Sequence, residues 1–232
     1  MSIDCENTLI KFFEHNSRAM FLDCGCFNGE RTIKMARVIN TKNIFGIDFN
    51  RDKILMARKL KIKAIRSDLN DVLPYKDNFF DVVTSIHSIE HLIYPDNFVK
   101  EVYRVLKPNG YFIVLTPNLA SWHNVIALLF GIQPFSGPNI FDETDLANDG
   151  NIIDQINLDE LKRRTINKQD QEDGRHIKVM TYKTLKKLLK LKHFKIEKSS
   201  GFGYYPFPNF FSRLLCRMDI SHSHYFIMKA RK

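Results

Sequence analysis

The sequence predicts an α/β fold in which helices cover both faces of a mostly parallel β-sheet, the doubly wound arrangement. Short apolar runs alternate with helical patterns over residues 1–117, which is typical of successive β-α-β units. Several of these runs end at an acidic residue, as at Asp23 and Asp48. The 232 residues, 44% hydrophobic and 26% charged, suit one domain with an insertion and exclude a disordered chain, a collagen or a disulfide scaffold.

Seven short apolar runs are predicted to form the strands of the sheet. The first ends at Asp23, and Pro117 stops the fifth. A turn over residues 107–110, which contains a proline and a glycine, is expected just before the fifth strand. The predicted strands are residues 19–22, 43–47, 62–65, 81–86, 111–116, 194–198 and 225–230.

The helices between these strands have recognisable first residues. Asn50 can cap a helix that ends at Leu60, and Thr181 can cap one that ends at Lys192. Pro95 opens another helix, because proline is favoured at the first helical position. Two further helices are expected over residues 30–39 and 121–130. The positions expected to face the core are Ile54, Leu55 and Ala57 after Asn50, and Phe98, Val99, Val102, Val105 and Leu106 after Pro95.

Residues 118–175 interrupt this alternation. An apolar helix is followed by glycine and proline residues and then by a polar segment, and residues 121–177 hold 10 acidic and 5 basic side chains. A compact domain rarely keeps so long a segment without regular structure unless it is a lid or is disordered. We therefore expect a main domain of residues 1–117 and 176–232, and a lid over its site formed by residues 118–175.

The formal net charge of +9 comes from one end of the chain. Residues 178–232 hold 13 basic and 2 acidic side chains. The simplest interpretation is a solvated helix face, and the alternatives are contact with nucleic acid or with an anionic membrane surface. The lysines of this predicted helix are Lys183, Lys186, Lys187, Lys190 and Lys192.

The cysteines and the N-terminal residues favour a cytoplasmic protein. Four cysteines are too few for a disulfide framework and are interpreted as reduced thiols. Cys24 and Cys26 have no partner at zinc-finger spacing, so no metal site is expected. The first residues are acidic where an export signal would be basic, and no apolar run approaches the roughly 20 residues that span a bilayer.

A glycine-containing turn and three carboxylates mark the candidate site. Gly25 and Gly29 lie between the first strand and its helix, where a turn lets backbone N–H groups approach a ligand. Asp48 follows the second strand, 19 residues after Gly29, where an acid can bind both hydroxyls of a ribose. Asp68 and Glu90 follow the third and fourth strands. Each acid alone is typical of a helix cap or solvated loop, but together they indicate one binding edge.

These segments resemble the class I S-adenosylmethionine-dependent methyltransferases, in particular the small-molecule enzymes related to those of quinone biosynthesis. The motifs are residues 22–29, 46–48, 67–69, 80–92 and 102–111. The resemblance implies a Rossmann-like seven-stranded sheet whose last strand, residues 224–230, is antiparallel beside the fifth. Phe27 departs from the pattern, because it stands where the motif usually has its middle glycine, and it puts the affinity for the cofactor in doubt.

The resemblance also implies a cofactor and its binding residues. The cofactor would be S-adenosyl-L-methionine, with Gly25 and Gly29 admitting its methionine part and Asp48 binding the ribose. Asp23 would anchor the turn or meet the amino group through water, and His87 would lie near the sulfonium. The remaining residues expected at the cofactor are Cys26, Phe49, Asp68 and Leu69, of which Asp68 and Leu69 would contact adenine.

Methyl transfer from a sulfonium requires mainly proximity and alignment, with a base only where the acceptor is a poor nucleophile. His91 and His123 are the expected bases. His87 and His176 are the further candidates, although a single histidine is more often structural. The Glu90–His91 pair could instead tie its loop to the sheet.

The acceptor is expected to be a small molecule, hydrophobic or lipid-linked, methylated on oxygen or carbon. Apolar side chains crowd residues 122–135 and 202–211, and they could equally close the domain's own core. With the basic C-terminal part, they could also form a peripheral membrane contact. The alternatives are an RNA or tRNA methyltransferase, an NAD-dependent oxidoreductase, and a binding protein with an inactive site.

Overall fold

The structure is a computed structural model that describes residues 3–137, 176–205, 207 and 209–232. Its strands lie close to the seven predicted ones. They are β1 (Met20–Cys24), β2 (Asn43–Asp48), β3 (Lys63–Arg66), β4 (Phe80–Ile86), β5 (Leu106–Pro117), β6 (Lys195–Phe202) and β7 (Tyr225–Arg231).

Seven α-helices lie within the described residues. They are α1 (Ile3–Ile10), α2 (Glu30–Ile39), α3 (Arg51–Lys59), α4 (Pro95–Val105), α5 (Trp122–Leu129), α6 (Tyr182–Leu191) and α7 (Asn209–Met218). Two short 3-10 helices, Ile89–His91 and Ile220–His222, follow β4 and precede β7. Sequence analysis did not predict α1 or α7.

The strands form one sheet in the order β3-β2-β1-β4-β5-β7-β6. The pairs from β3 to β5 are parallel, whereas β7 is antiparallel to both β5 and β6. The predicted α/β class and the antiparallel last strand are both confirmed. The reversal brings the start of β7 to the edge where β1, β2, β4 and β5 end, because Tyr225 pairs with Pro117.

Each face of the sheet has its own apolar core. On one face, α4 contributes Phe98 and Val102 and α6 contributes Leu185, and all three side chains are fully buried. On the other face, Ile39 of α2 and Ala57 of α3 pack against the sheet. Burial on both faces explains why the central strands read as almost continuous apolar runs.

The predicted helix caps at Asn50 and Thr181 are confirmed, but one residue predicted to lie on the buried face of α3 is exposed. The Asn50 side chain accepts hydrogen bonds from the N–H groups of Asp52 and Lys53, as predicted. Thr181 likewise accepts from the N–H of Thr184 at 3.1 Å. The expected burial of Leu55 is wrong: it is 48% exposed, because it follows Ile54 by one position and so points about 100° away from the buried side.

The predicted turn over residues 107–110 is also wrong. These residues belong to β5 as a bulge, since the pairing with β4 passes from Phe80–Leu106 directly to Val82–Tyr111. A residue beyond β7 stabilises the bulge, because the N–H of Lys232 donates to the carbonyl of Gly110 at 2.9 Å. Asn109 takes a positive φ of 65°, which asparagine tolerates better than most residues.

About two thirds of the predicted lid, residues 138–175, lies outside the described part of the chain. Its described beginning contains α5, and the division of the chain at residues 118 and 175 remains a prediction. Within the described ranges, the helices are too short or too polar for any of them to cross a bilayer.

Candidate functional site

The carboxyl edge of the sheet gathers most of the residues that the sequence singled out. The glycine turn follows β1, Asp48 ends β2, Asp68 follows β3, and Glu90 lies in the 3-10 helix after β4. Parallel strands necessarily end together, so residues far apart in sequence become neighbours there.

The turn after β1 requires a left-handed backbone at three of its residues. Gly25 has φ +82° and Gly29 has φ +86°, and neither leaves space for a side chain. A Cβ on Gly25 would lie 2.9 Å from the Ser88 Cβ and overlap its hydroxyl, and one on Gly29 would lie 2.5 Å from Ile62. Phe27 also has a positive φ, 48°, which explains why a glycine suits this position.

Asp48 links β2 to the turn and still faces outward. Its Oδ2 accepts the N–H of Phe27 at 2.7 Å, and its Oδ1 accepts the N–H of Asn50 at 2.9 Å. The carboxylate is half-buried. Each oxygen has a second lone pair, so the same group can accept two hydroxyls from a bound ribose.

Asp23 is buried beneath the turn. Its two oxygens accept the hydroxyls of Thr32 at 2.5 Å and Thr84 at 2.7 Å. Burial raises the pKa of this carboxyl to about 6, while the two hydroxyl donors act in the opposite direction. At 2% exposure, Asp23 is placed to anchor the turn, which favours the first of its two predicted roles.

Asp68 and Leu69 lie where β3 ends. The Oδ1 of Asp68 accepts both the backbone N–H and the side-chain amide of Asn70. Asn70 in turn accepts the N–H groups of Ile93 and Tyr94, so the loop after β3 is tied to the segment before α4. Leu69 is 8% exposed and belongs to the core beneath this loop.

Cys26 and Phe49 differ in what they present at the edge. The Cys26 thiol is buried against Gly46, where an added Cβ would lie 2.6 Å from the sulfur. Cys26 could therefore reach a ligand only through its backbone. Phe49 is half-buried, with the Arg66 guanidinium 5.1 Å from its ring centroid.

Beyond the turn, Glu90 is fixed from two sides. The carboxylate is fully buried, and its Oε2 accepts the Thr116 hydroxyl at 3.0 Å. Its Oε1 has no hydrogen-bond partner and lies 3.3 Å from Nδ1 of His87. The ring of His87 meets Tyr225 of β7 edge-on at 5.2 Å. Glu90 thus ties the loop after β4 to β5, as the structural alternative predicted.

Two histidine pairs complete the edge. The rings of His91 and His176 are 5.2 Å apart, and those of His123 and His224 are 4.3 Å apart. Burial lowers the pKa of His123 and of His176, and lowers that of His224 to about 4. These three rings are therefore neutral at pH 7 and can accept a hydrogen bond or a proton.

Sequence reasoning missed the residues that hold this site together. Thr32, Thr84, Asn70 and Ser88 contact the predicted residues directly, yet each is a common residue type with no motif of its own. His224 was visible as the residue before the last strand. Its place opposite His123 follows only from the reversed direction of β7.

The sequence that runs from β1 into β5 matches a known family model. Residues 22–114, two-fifths of the chain, match the family model described as a methyltransferase domain. Over 143 residues, 55% of this chain and 58% of the relative, the identity with a demethylmenaquinone methyltransferase of Lactobacillus johnsonii is 31%. Over 98 residues, 40% of this chain and 35% of the relative, it is 37% with a fatty-acid O-methyltransferase of Mycolicibacterium smegmatis. The chain thus spans about half or less of these two relatives.

The fold has solved counterparts that extend over nearly the whole chain. An S-adenosylmethionine-dependent methyltransferase from Mesorhizobium loti superposes with a TM-score of 0.62 and 16% identity, covering 97% of this chain and 96% of that one. At this identity the likeness establishes the fold. Together with the match over residues 22–114, it confirms the resemblance found in the sequence.

Proposed function

Because the chain has the class I S-adenosylmethionine-dependent methyltransferase fold and residues 22–114 match a methyltransferase domain, we propose that it methylates a small hydrophobic acceptor. S-adenosyl-L-methionine is the cofactor that this family and fold imply. The observation that carries the proposal is the carboxyl edge itself, where a left-handed glycine turn and an outward-facing Asp48 lie side by side.

The residues present fit this cofactor. Gly25 and Gly29 give the turn its left-handed backbone and its close packing against Ser88 and Ile62, so that backbone groups of the turn can approach the methionine part. Asp48 would bind the ribose hydroxyls, and Asp68 with Leu69 would border the adenine. Asp23 would hold the turn in place from below through Thr32 and Thr84. When bound, the cofactor supplies an electrophilic methyl group on a sulfonium.

The chain's own contribution is to position the acceptor and to receive its proton. His123 is the better placed of the two predicted bases, because its lowered pKa keeps the ring neutral and its Nε2 faces the hydroxyls of Ser121 and Ser136. His91 lies in the cluster with Glu90 and His176. The variants His123→Ala and His91→Ala test whether either histidine receives the acceptor's proton. Unchanged turnover in both variants, with cofactor affinity intact, would exclude this role for both residues.

An apolar surface next to His123 supports a hydrophobic acceptor. The Phe135 ring is 5.9 Å from the His123 ring and is 71% exposed. Leu129 and Phe130, at the end of α5, are 79% and 77% exposed. The two relatives reported above are named as a demethylmenaquinone methyltransferase and a fatty-acid O-methyltransferase. Exposed apolar side chains beside a polar edge suit an acceptor of this kind.

Calorimetric titration with S-adenosylhomocysteine tests the cofactor site, with NAD as the parallel ligand. We expect one S-adenosylhomocysteine per chain and no NAD. Asp48→Ala should weaken binding at least tenfold, because hydrogen bonds to a charged acceptor contribute about 1.5–3 kcal/mol. Asp52→Ala, an exposed carboxylate on α3, is the matched control and should bind as the wild type does. A folded protein that binds NAD or neither ligand would contradict the proposal.

The acceptor class is tested with a cofactor carrying a labelled methyl group. Label should enter the organic extract when a demethylated quinone or a long-chain fatty acid is supplied, and Phe130→Ser should reduce that transfer. Label that enters only polar acceptors would contradict a hydrophobic acceptor while leaving the methyltransferase assignment in place.

A further inference from the structure

We propose that Glu90, His91 and His176 form a binding site for one divalent transition-metal ion of the zinc class. One potential ligand atom from each of the three residues lies within 4.8 Å of the others. Two imidazoles and a carboxylate are the ligand types that zinc, iron and related ions prefer over magnesium. The site was not expected from the sequence, because His176 is 85 residues from His91 and only the fold brings them together.

The carboxylate has an oxygen available for an ion. Glu90 is fully buried, and its Oε1 has no hydrogen-bond partner. A buried carboxylate oxygen without a donor is costly unless a cation or a proton compensates it. The hydrogen bond from Thr116 to the other oxygen fixes the orientation of the group, as hydrogen bonds to metal-ligating carboxylates usually do.

His176 is oriented in the same way. Its Nδ1 lies 3.1 Å from the carbonyl oxygen of Ser136, to which it can donate, so that Nε2 is left as the acceptor nitrogen. A metal-bound histidine usually donates its other ring N–H to a carbonyl or a carboxylate in this way.

The backbone holds the two halves of the site together. The carbonyl of Glu90 accepts the N–H groups of Ile177 at 2.8 Å and Lys178 at 3.0 Å. The segment that follows residue 175 is therefore pinned against the 3-10 helix of Glu90 and His91. Ligand atoms around zinc lie roughly 3–3.5 Å apart, so closure needs movements of about 1 Å in the two half-buried imidazoles.

Three protein ligands leave a coordination position for water or for substrate. His87 is the nearest further imidazole, since its Nδ1 lies 3.3 Å from the same Glu90 oxygen. If the proposed function is right, the ion would lie at the acceptor side of the edge and would favour an acceptor with an ionisable oxygen. Metal binding itself does not depend on that function.

The test is calorimetric titration of tag-free, chelator-treated protein with Zn²⁺, with Mg²⁺ as the oxygen-preferring comparison and Co²⁺ absorption as a spectroscopic readout. We expect one Zn²⁺ per chain, no Mg²⁺, and a Co²⁺ visible band. His176→Ala and His91→Ala should each weaken Zn²⁺ binding at least tenfold and abolish the band. His193→Ala, a histidine remote from this edge after α6, is the matched control.

Absence of stoichiometric Zn²⁺ binding by the wild type would overturn the site, as would equal binding by wild type and His176→Ala. Retained S-adenosylhomocysteine binding shows that each variant is folded. Protein that binds S-adenosylhomocysteine but no Zn²⁺ overturns this inference alone. Protein that binds Zn²⁺ through these residues but no S-adenosylhomocysteine overturns the proposed function alone.

Discussion

At Asp23, burial and hydrogen bonding act in opposite directions on one carboxyl group. Desolvation raises its pKa to about 6, and the hydroxyls of Thr32 and Thr84 limit that rise. An aspartate in an unfolded chain titrates near 3.8. The folded protein therefore takes up this proton at a higher pH than the unfolded chain does, and folding is coupled to pH between these two values.

This coupling predicts the sign of a pH effect. A raised carboxyl pKa stabilises the folded state at low pH, and the contribution is lost as the pH rises through about 6. The free energy of unfolding of wild type, relative to Asp23→Asn, should therefore fall by about 1 kcal/mol between pH 5 and pH 7.5. Urea denaturation at several pH values measures it.

The difference in the free energy of unfolding between wild type and Asp23→Asn cancels the contributions of the other titrating groups, such as His224. Thr84→Val is the companion variant, because loss of its hydroxyl removes a donor to the ionised carboxylate and should steepen the same dependence. A wild-type minus Asp23→Asn difference that stays constant or rises with pH would contradict the assignment.

The turn between β1 and α2 is the element whose backbone most restricts its sequence. Three of its residues have positive φ, but only two of them are glycine. Phe27 is 50% exposed, and the Lys53 ammonium lies 4.2 Å from its ring centroid. Its ring therefore lies beside α3, and the effect of Phe27 on cofactor affinity remains a prediction.

Phe27→Gly and Phe27→Ala should reverse the usual order of stability. Alanine is normally favoured over glycine, but at a φ of 48° it retains the left-handed strain, which costs about 1 kcal/mol. We expect the free energy of unfolding of Phe27→Gly to exceed that of Phe27→Ala by about this amount in denaturant titrations. An alanine variant as stable as the glycine variant would mean that the position is unstrained.

Elements whose boundaries depend on nearby residues were predicted correctly, whereas those that depend on distant residues were not. Asn50 and Thr181 mark helix starts through bonds to N–H groups two or three positions away, and Pro95 marks one through its fixed φ. All three helices begin there. The bulge at residues 107–110 depends on contacts with β4 and Lys232, which the local sequence does not reveal. The composition of these residues alone is that of a turn. The acids at the strand ends were visible because a parallel sheet aligns them, whereas the threonines beneath Asp23 carry no such periodic signal.

At the scale of the whole molecule, basic and apolar side chains are exposed on several elements. Lysines crowd α6, while exposed apolar side chains lie on α5, on the residues that follow it and on α7. An interfacial protein uses both, since each lysine near an anionic surface contributes about 1 kcal/mol and the apolar side chains enter the acyl boundary. Peripheral membrane contact remains a prediction.

Vesicle flotation measures that contact. The protein should float with anionic vesicles at low salt and less at high salt. Glutamine at Lys183, Lys186, Lys187 and Lys190 should abolish flotation, and serine at Leu129 and Phe130 should weaken it. The charge-matched control places glutamine at Lys34, Lys42, Lys59 and Lys61. Equal loss in both lysine sets, or binding to RNA but not to vesicles, would contradict a membrane role, and the second result would favour the RNA alternative.

The reversed direction of β7 has a consequence for synthesis on the ribosome. β5 is made more than a hundred residues before its partner β7, and the side chains of His224 and Tyr225 reach the site only when β7 is inserted. Until then a growing chain exposes an apolar strand edge, which invites pairing with other chains. A chaperone that covers β5, or a pause that delays the synthesis of β7, should therefore affect the yield of active protein more than either would for a sheet built in sequence order.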